Sequence, residues 1–398
     1  MLQLRTTPFH ERTSKLCQAQ NWRRWAGYLA AGSYELNLEH EYWAIRDRAA
    51  LIDVTPLMKY VLKGPDASRL LNRVVTRDMD KLKVGQVYYT PWCDDEGKVI
   101  DDGTIARLDE VTYRMTSAEP SLRWLMMNAI NLDVNITEVT DQIAALSLQG
   151  PYARDVLNRC CEQTLDGLKY FRWKENRLGG RPVTISRTGY TGDMGYELWI
   201  AAEDALAIWD NLMEAGRDHG ITPCGILAMD MARVEAGLFM LEVDYTSSHL
   251  AWIEGQKSTP YQLGLDWAVS LDKRGYFVGR RALEKEKREG LAWKLMGLQI
   301  EWNGMQRLFA EVNLPPQIPG EAFRASLPVF SGNVQIGYVS TSSWSPILKK
   351  FIALAHLQKP YFKEGTSVRM EVTVEHQRHF APAKVVKLPF YEPEWKKQ

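Results

Sequence analysis

The sequence predicts an α+β fold in three packed parts. Helix-like and strand-like segments interleave without the regular βαβ rhythm of a doubly wound sheet. Near Trp293 the character changes, and short apolar runs become punctuated by proline and glycine, as in a small all-β module. The 398 residues also exceed one ordinary core, given roughly 150 residues per domain.

Residues 35–50 read as a helix with a carboxylate-rich start, running into residues 51–56, where Pro56 limits further helix. Residues 60–64 look like a strand, and Pro65 opens a helix that carries Ala67, Leu70, Leu71 and Val74 on one face. Residues 86–91 and 100–108 pair as a hairpin through the acidic turn Asp94-Asp95-Glu96-Gly97. A strand at 112–116 and a helix at 120–130 complete one αβ unit. Residues 144–149 open a second, with Gly150-Pro151 starting a helix at its end. Helices follow at about 204–219 and 227–236. In the last part, 295–300 and 368–374 are apolar runs and 315–320 is the clearest loop. No tandem repeat or low-complexity tract is present.

Composition narrows the function classes. Forty-nine basic and 49 acidic residues cancel, which gives no global electrostatic reason to expect nucleic acid or a membrane surface as partner. Five cysteines, with Cys160 and Cys161 adjacent and no CxxC, match neither a disulfide framework nor a zinc site, so a reducing cytosol is expected. No apolar run has signal-peptide or membrane-span length. GxGxxG after a strand, a Walker loop, HExxH and GxSxG are all absent. The seven histidines are scattered; His376 and His379 read as surface residues, and no metal site is expected.

Carboxylates and aromatics remain. Each of two stretches, residues 93–102 and 187–197, brings a carboxylate to the end of a glycine-bent turn and into a strand. On a strand, Asp102 shares a face with Ile100, Thr104 and Ala106, whereas Asp101 shares the other with Val99, Gly103 and Ile105. Only one of the two can face a given pocket; equally, both could cap the hairpin turn and stay solvated. Glu197 lies on the same strand face as Trp199, beside an aromatic plane, although an ion-paired surface glutamate would read identically. Trp22, Trp25, Tyr28, Tyr42 and Trp43 read either as an aromatic box for an onium group or as helix tryptophans packed into a core.

Seven landmarks in order resemble the glycine-cleavage T-protein superfamily of tetrahydrofolate-dependent one-carbon transferases: Gly64-Pro65-Asp66-Ala67, Tyr89 before Gly97-Lys98-Val99-Ile100-Asp101-Asp102, Leu148-Gln149-Gly150-Pro151, Arg187 through Glu197, Arg233-Val234-Glu235-Ala236-Gly237, Gly264-Leu265-Asp266-Trp267, and Ser345 through Lys350. Coverage is nearly full length. The resemblance implies a three-domain cloverleaf around a central hole that holds folate. It implies residues 1–57 plus 140–242 as a first folate-binding αβ domain and 58–139 plus 243–290 as a second, ferredoxin-like domain. Residues 291–398 would form a β-rich, barrel-like domain.

By resemblance, Asp102 is the catalytic aspartate beside the reactive folate nitrogens, and Glu197 grips the pterin. Tyr89 and Tyr190 line the folate channel, with Tyr89 at the catalytic end, and Trp267 lies near the reacting centre. Met229 stands where the family usually carries a folate-binding arginine, four residues before Arg233. Further departures fall at Thr55-Pro56-Leu57 and over residues 21–28. Around Thr7-Pro8-Phe9, Tyr88-Tyr89-Thr90-Pro91 and residues 264–272, the chain is closer to folate-dependent demethylases such as dimethylsulfoniopropionate demethylase. The leading expectation is therefore transfer of a methyl or methylene group from a small N-, O- or S-methylated donor to tetrahydrofolate. The alternatives are an aminomethyltransferase served by a lipoylated carrier protein, and a non-catalytic folate-binding protein.

Overall fold

The computed structural model describes residues 4–397. Four sheets organise it. A six-stranded sheet runs in the order Trp173–Leu178, Arg181–Ser186, Gly195–Ala201, Ile143–Gln149, Ala49–Asp53 and Ile221–Cys224. Only the last pairing is parallel. Strand alternation divides its side chains. Ala144, Leu146, Leu148, Leu198 and Ile200 pack with Val156, Leu157, Ile208 and Leu212 of the helices Ala153–Cys160 and Ala205–Ala215. Ala145 and Trp199 point to the opposite core, so Glu197 faces the interior of the molecule, between Ser147 and Ser186 of its neighbouring strands.

A five-stranded antiparallel sheet follows the order Val87–Cys93, Val99–Arg107, Thr112–Ser117, Met58–Lys63 and Asn135–Glu138. Its apolar face is covered by the helix Ala67–Val74, through Ala67, Leu70, Leu71 and Val74, the four residues expected from periodicity. Residues 258–278 belong to the same surroundings: Ser258 O accepts from Val99 N at 2.9 Å, and Ser270 and Val278 donate to Thr76 O and Arg73 O at 3.0 Å. The third sheet is a closed barrel of Trp293–Ile300, Lys350–Gln358, Val334–Ser345, Leu327–Ser331, Ser367–Val374 and Gln377–Val386. Closure leaves the barrel no free strand edge. The fourth is a ribbon of Arg5–Thr6, Tyr28–Ser33 and Asn21–Trp25.

Three expectations are corrected. The first helix spans only Glu39–Asp47, and Ala49–Asp53 is a strand, because Ala49, Leu51 and Ile52 fill buried positions in the middle of a sheet. Trp22, Trp25 and Tyr28 stand on the paired strands Asn21–Trp25 and Tyr28–Ser33, not on a helix. The five aromatics also form no box: Trp22 packs on His10, the Tyr28 hydroxyl donates to Asp141, Tyr42 donates to Glu235, and Trp43 lies under Lys349. Only Trp25 reaches the central cavity.

The acidic turn behaves as turn chemistry dictates. Asp94 Oδ1 accepts from the Glu96 and Lys98 amides at 3.0 and 2.9 Å, and Gly97 takes φ 72°. The strand that follows holds a bulge, since Trp92 pairs with Asp101 and Cys93 with Val99, leaving Ile100 as the extra residue. That shift sends Ile100 into the same core as Ile105, which simple alternation from residue 99 places on the opposite face.

The helix Ile226–Glu235 joins the parts. Fully enclosed Arg233 donates through Nε to Asp230 at 2.8 Å, to Asp244, and through Nη2 to Thr341 of the barrel at 3.1 Å. On the same helix, Glu235 accepts from Arg46 Nη2, Tyr42 Oη and Ser345 Oγ, each at 2.6 Å. Removing one member of such a set strands buried charges. Arg233→Met should lower unfolding free energy by about 3–5 kcal/mol, measured by urea denaturation; a loss within 1 kcal/mol would show the junction to be dispensable.

Candidate active site

A cavity of about 1440 Å³ opens between the three larger sheets. Ligand pockets commonly run roughly 300–1,000 Å³, so this one has room for two reactants. Asp102, Tyr89, Glu197, Tyr190, Trp267 and Met229 all line it. Wall residues come from the five-stranded sheet (Tyr89, Asp102, Thr104), the six-stranded sheet (Ser147, Glu197, Trp199) and the barrel strand Trp293–Ile300 (Lys294, Met296).

Strand pleat and a local contact separate the paired aspartates. Asp101 turns away from the cavity, is 1% exposed, and accepts from the amides of Asp102, Ala118 and Glu119 at 2.7, 3.1 and 2.9 Å. It is a structural carboxylate that fixes the chain after the neighbouring strand. Asp102 faces the cavity, where Tyr89 Oη donates to its Oδ2 at 2.8 Å and Tyr245 Oη donates to its Oδ1. Burial raises the Asp102 carboxyl above the ordinary range, opposed by the two hydroxyl donors. Gly103 permits the hairpin's close packing, since a Cβ there would sit 2.0 Å from Thr116 O.

Glu197 is supported differently. Thr188 Oγ1 donates to its Oε2, Ser186 Oγ and Thr188 Oγ1 lie 2.9 Å apart, and Trp199 Nε1 donates to Ser186 Oγ at 3.1 Å. This chain fixes one carboxylate oxygen and leaves Oε1 without a donor among the described residues. Burial raises the Glu197 carboxyl, with Thr188 and the charge of Arg114 pulling it back. Arg114 lies over the Trp199 ring at 4.0 Å, and burial pulls its guanidinium down to about 9.

Tyr190 donates its hydroxyl to Phe239 O, which ties the turn before Glu197 to the loop after the helix Ile226–Glu235. Met229 is a buried wall residue of that helix, 5% exposed. Beside it, Arg324 donates through Nε to Asp230 at 2.8 Å and also lines the cavity. Trp267 is 59% exposed at the rim and stacks on Tyr89, with centroids 6.0 Å apart and planes at 29°.

Tyr245, Thr188 and Arg77 escape sequence reasoning. Tyr245 is 143 residues from Asp102, and no spacing links them. Thr188 lies within the glycine-bent stretch that brings in Glu197, but a threonine nine residues from a glutamate carries no signal of its own. Among the described residues no cluster of His, Cys, Asp and Glu could hold a metal, and no helix is long and apolar enough to cross a membrane.

Comparisons with known proteins agree with this architecture. Residues 7–273 match the family model for the GCVT N-terminal domain, and residues 312–392 match the glycine cleavage T-protein C-terminal barrel domain. The chain is 36% identical to an aminomethyltransferase of Halalkalibacterium halodurans, over 89% of this chain and 90% of that protein. It is 33% identical to one from Caldanaerobacter subterraneus subsp. tengcongensis, over 94% and 92%. The crystal structure of glycine cleavage system aminomethyltransferase T from Bartonella henselae shares the fold, with TM-score 0.82 and 24% identity over 98% of this chain and 99% of that one. With both family domains matched in order, and the closed barrel formed by the C-terminal part, the chain belongs to the glycine-cleavage T-protein family.

Proposed function

We propose that this chain is a one-carbon transferase of the aminomethyl type, moving a one-carbon unit from a lipoylated carrier to tetrahydrofolate. The observation that carries the reading is the convergence of Asp102 and Glu197 on one cavity, each with a different supporting set. The aminomethyltransferase relatives support this over direct demethylation of a small methylated donor, the reading that local likenesses around residues 88–91 and 264–272 put first.

The walls suit folate chemistry. Glu197, with Oε1 unspent, can accept paired N–H groups from an aminopyrimidine edge, a bidentate arrangement that fixes orientation as well as adding affinity. Tyr190 and the Tyr89–Trp267 stack offer apolar planes to a long aromatic ligand. Met229 contributes packing there in place of a guanidinium. Bound tetrahydrofolate supplies the nucleophilic nitrogen that accepts the carbon. Asp102, held by Tyr89 and Tyr245 and raised by burial, can hold or release a proton at its carboxylate for a ligand seated in the cavity. Holding the two reactants in line supplies the remainder of the rate gain.

Three outcomes test this. Mixing the protein with tetrahydrofolate and an aminomethyl-loaded lipoylated carrier should release ammonia; no ammonia from the loaded carrier, with methyl transfer from a small methylated donor in its absence, would sink the aminomethyl reading. Asp102→Ala should lower turnover by about 10²–10⁴ with tetrahydrofolate affinity, read by calorimetry, kept within a few-fold; wild-type turnover would reject Asp102 as the catalytic group. Affinity should also depend on pH through Glu197. Burial raises its carboxyl in the free protein, and N–H donation from the ligand favours the ionised form, so binding releases a proton at acid pH. Affinity should rise with pH through the upper carboxylate range and then level off, and Glu197→Gln should weaken binding and flatten the profile.

A further inference from the structure

Arg77 lines the same cavity at its rim, half-buried, and has no acidic partner within 4 Å among the described residues. Among the other arginines near the cavity, Arg46 and Arg233 bond carboxylates and Arg324 is held by Asp230, while Arg114 lies over Trp199 in the field of Glu197. Arg77 is held by aromatics instead. Its guanidinium lies 3.6 Å from the Tyr88 ring centroid and 5.3 Å from that of Trp267, with one Nη1 bond to Tyr89 O at 3.3 Å. Stacking of this kind orients the planar fork while leaving in-plane N–H groups free.

The backbone under it is fixed as well. Buried Lys273 donates from Nζ to Val75 O at 2.5 Å and Arg77 O at 2.9 Å. A cation drawn partly out of water without a countercharge is costly, and burial pulls the Arg77 guanidinium below its ordinary range. A bound anion would remove that cost.

We propose that Arg77 is an anion-recognition residue at the cavity rim, taking a carboxylate carried by a ligand seated in the cavity. This rests on the folate-dependent reading for its ligands. The carboxylate has two chemical sources, the glutamyl end of tetrahydrofolate or an acidic group on the one-carbon donor. In either case the guanidinium, held against Tyr88 and Trp267, receives the carboxylate oxygens at its free N–H groups.

The test compares wild type with Arg77→Gln, with Arg77→Lys as the charge-retaining control and melting temperature as the check of folding. If the glutamyl carboxylate is the group bound, Arg77→Gln weakens tetrahydrofolate about tenfold and leaves tetrahydropteroate, which lacks it, unchanged. If the donor brings the carboxylate, folate affinity holds and the donor's KM rises about tenfold. Arg77→Lys should recover part of either loss. Unchanged folate affinity together with unchanged donor KM in Arg77→Gln overturns the proposal. Failure of wild type to bind tetrahydrofolate at all would reject the folate reading instead. The anion site is then read by phenylglyoxal labelling of the native protein with peptide mass spectrometry. Slower labelling at Arg77 in the presence of glutarate supports the site, and an unchanged rate rejects it.

Discussion

One enclosed guanidinium sets the positions of everything around the cavity. Arg233 is fully buried with Asp230 and Asp244, and taking those charges out of water costs several kcal/mol per ion. Such a set persists only when the remaining lone pairs and protons are also satisfied. Here they are: Asp244 accepts from Ser340 Oγ at 2.5 Å, Thr341 Oγ1 at 2.7 Å and Met240 N at 2.9 Å, and its carbonyl meets His356 Nε2 at 2.6 Å. Three of these four partners belong to the barrel. The next residue, Tyr245, donates to Asp102. Helix, barrel and reactive hairpin therefore share one polar knot, and a shift of any of them displaces the carboxylate in the cavity.

A second knot two residues along the helix extends the same logic. Glu235 collects Arg46, Tyr42 and Ser345, and its backbone carbonyl accepts from Phe390 and Tyr391 of the C-terminal segment at 3.0 and 2.9 Å. Arg46 continues to Thr191 O and Asp193, in the turn that leads into Glu197, and Trp395 reaches Asp193 from outside at 2.8 Å. Asp102 and Glu197 are thus each tied to one buried ionic set, Asp102 to that of Arg233 through Tyr245 and Glu197 to that of Arg46 through the turn before it. Their chemistry diverges because their nearest donors differ. Two phenols hold Asp102, while one hydroxyl and the field of a desolvated guanidinium act on Glu197.

Local patterns were legible where the cause is local. The apolar spacing of Ala67, Leu70, Leu71 and Val74 buried the face it indicated, and the Asp94 to Gly97 turn formed with its own side-chain acceptor. Five of the six candidate residues come from the family landmarks and Met229 from a departure beside one of them, and all six line the cavity, although their roles follow only from the resemblance. Where tertiary demands compete, the reading slipped. Residues 49–53 have the composition of a helix end, yet a central sheet position between two cores claimed them as strand. The aromatic-rich residues 21–25 were claimed by strand pairing with residues 28–33. Alternation along residues 99–105 was interrupted by an extra residue that no local signal marks.

The sequence by itself determined the supply of groups: two carboxylates delivered by glycine-bent turns into strands, a β-rich last part, and an order of motifs that resembles one folate-dependent family. These follow from adjacent residues, whose turn and strand preferences are intrinsic to the backbone. Only the tertiary structure decided the assignments. It gave Asp101 to backbone amides and Asp102 to two tyrosines, left one oxygen of Glu197 open to the cavity, and set Arg77 against aromatic rings without a countercharge. The partners lie from nine residues away, for Thr188 and Glu197, to 143, for Tyr245 and Asp102, on separate strands and loops brought together by burial, and no fixed spacing along the chain records them.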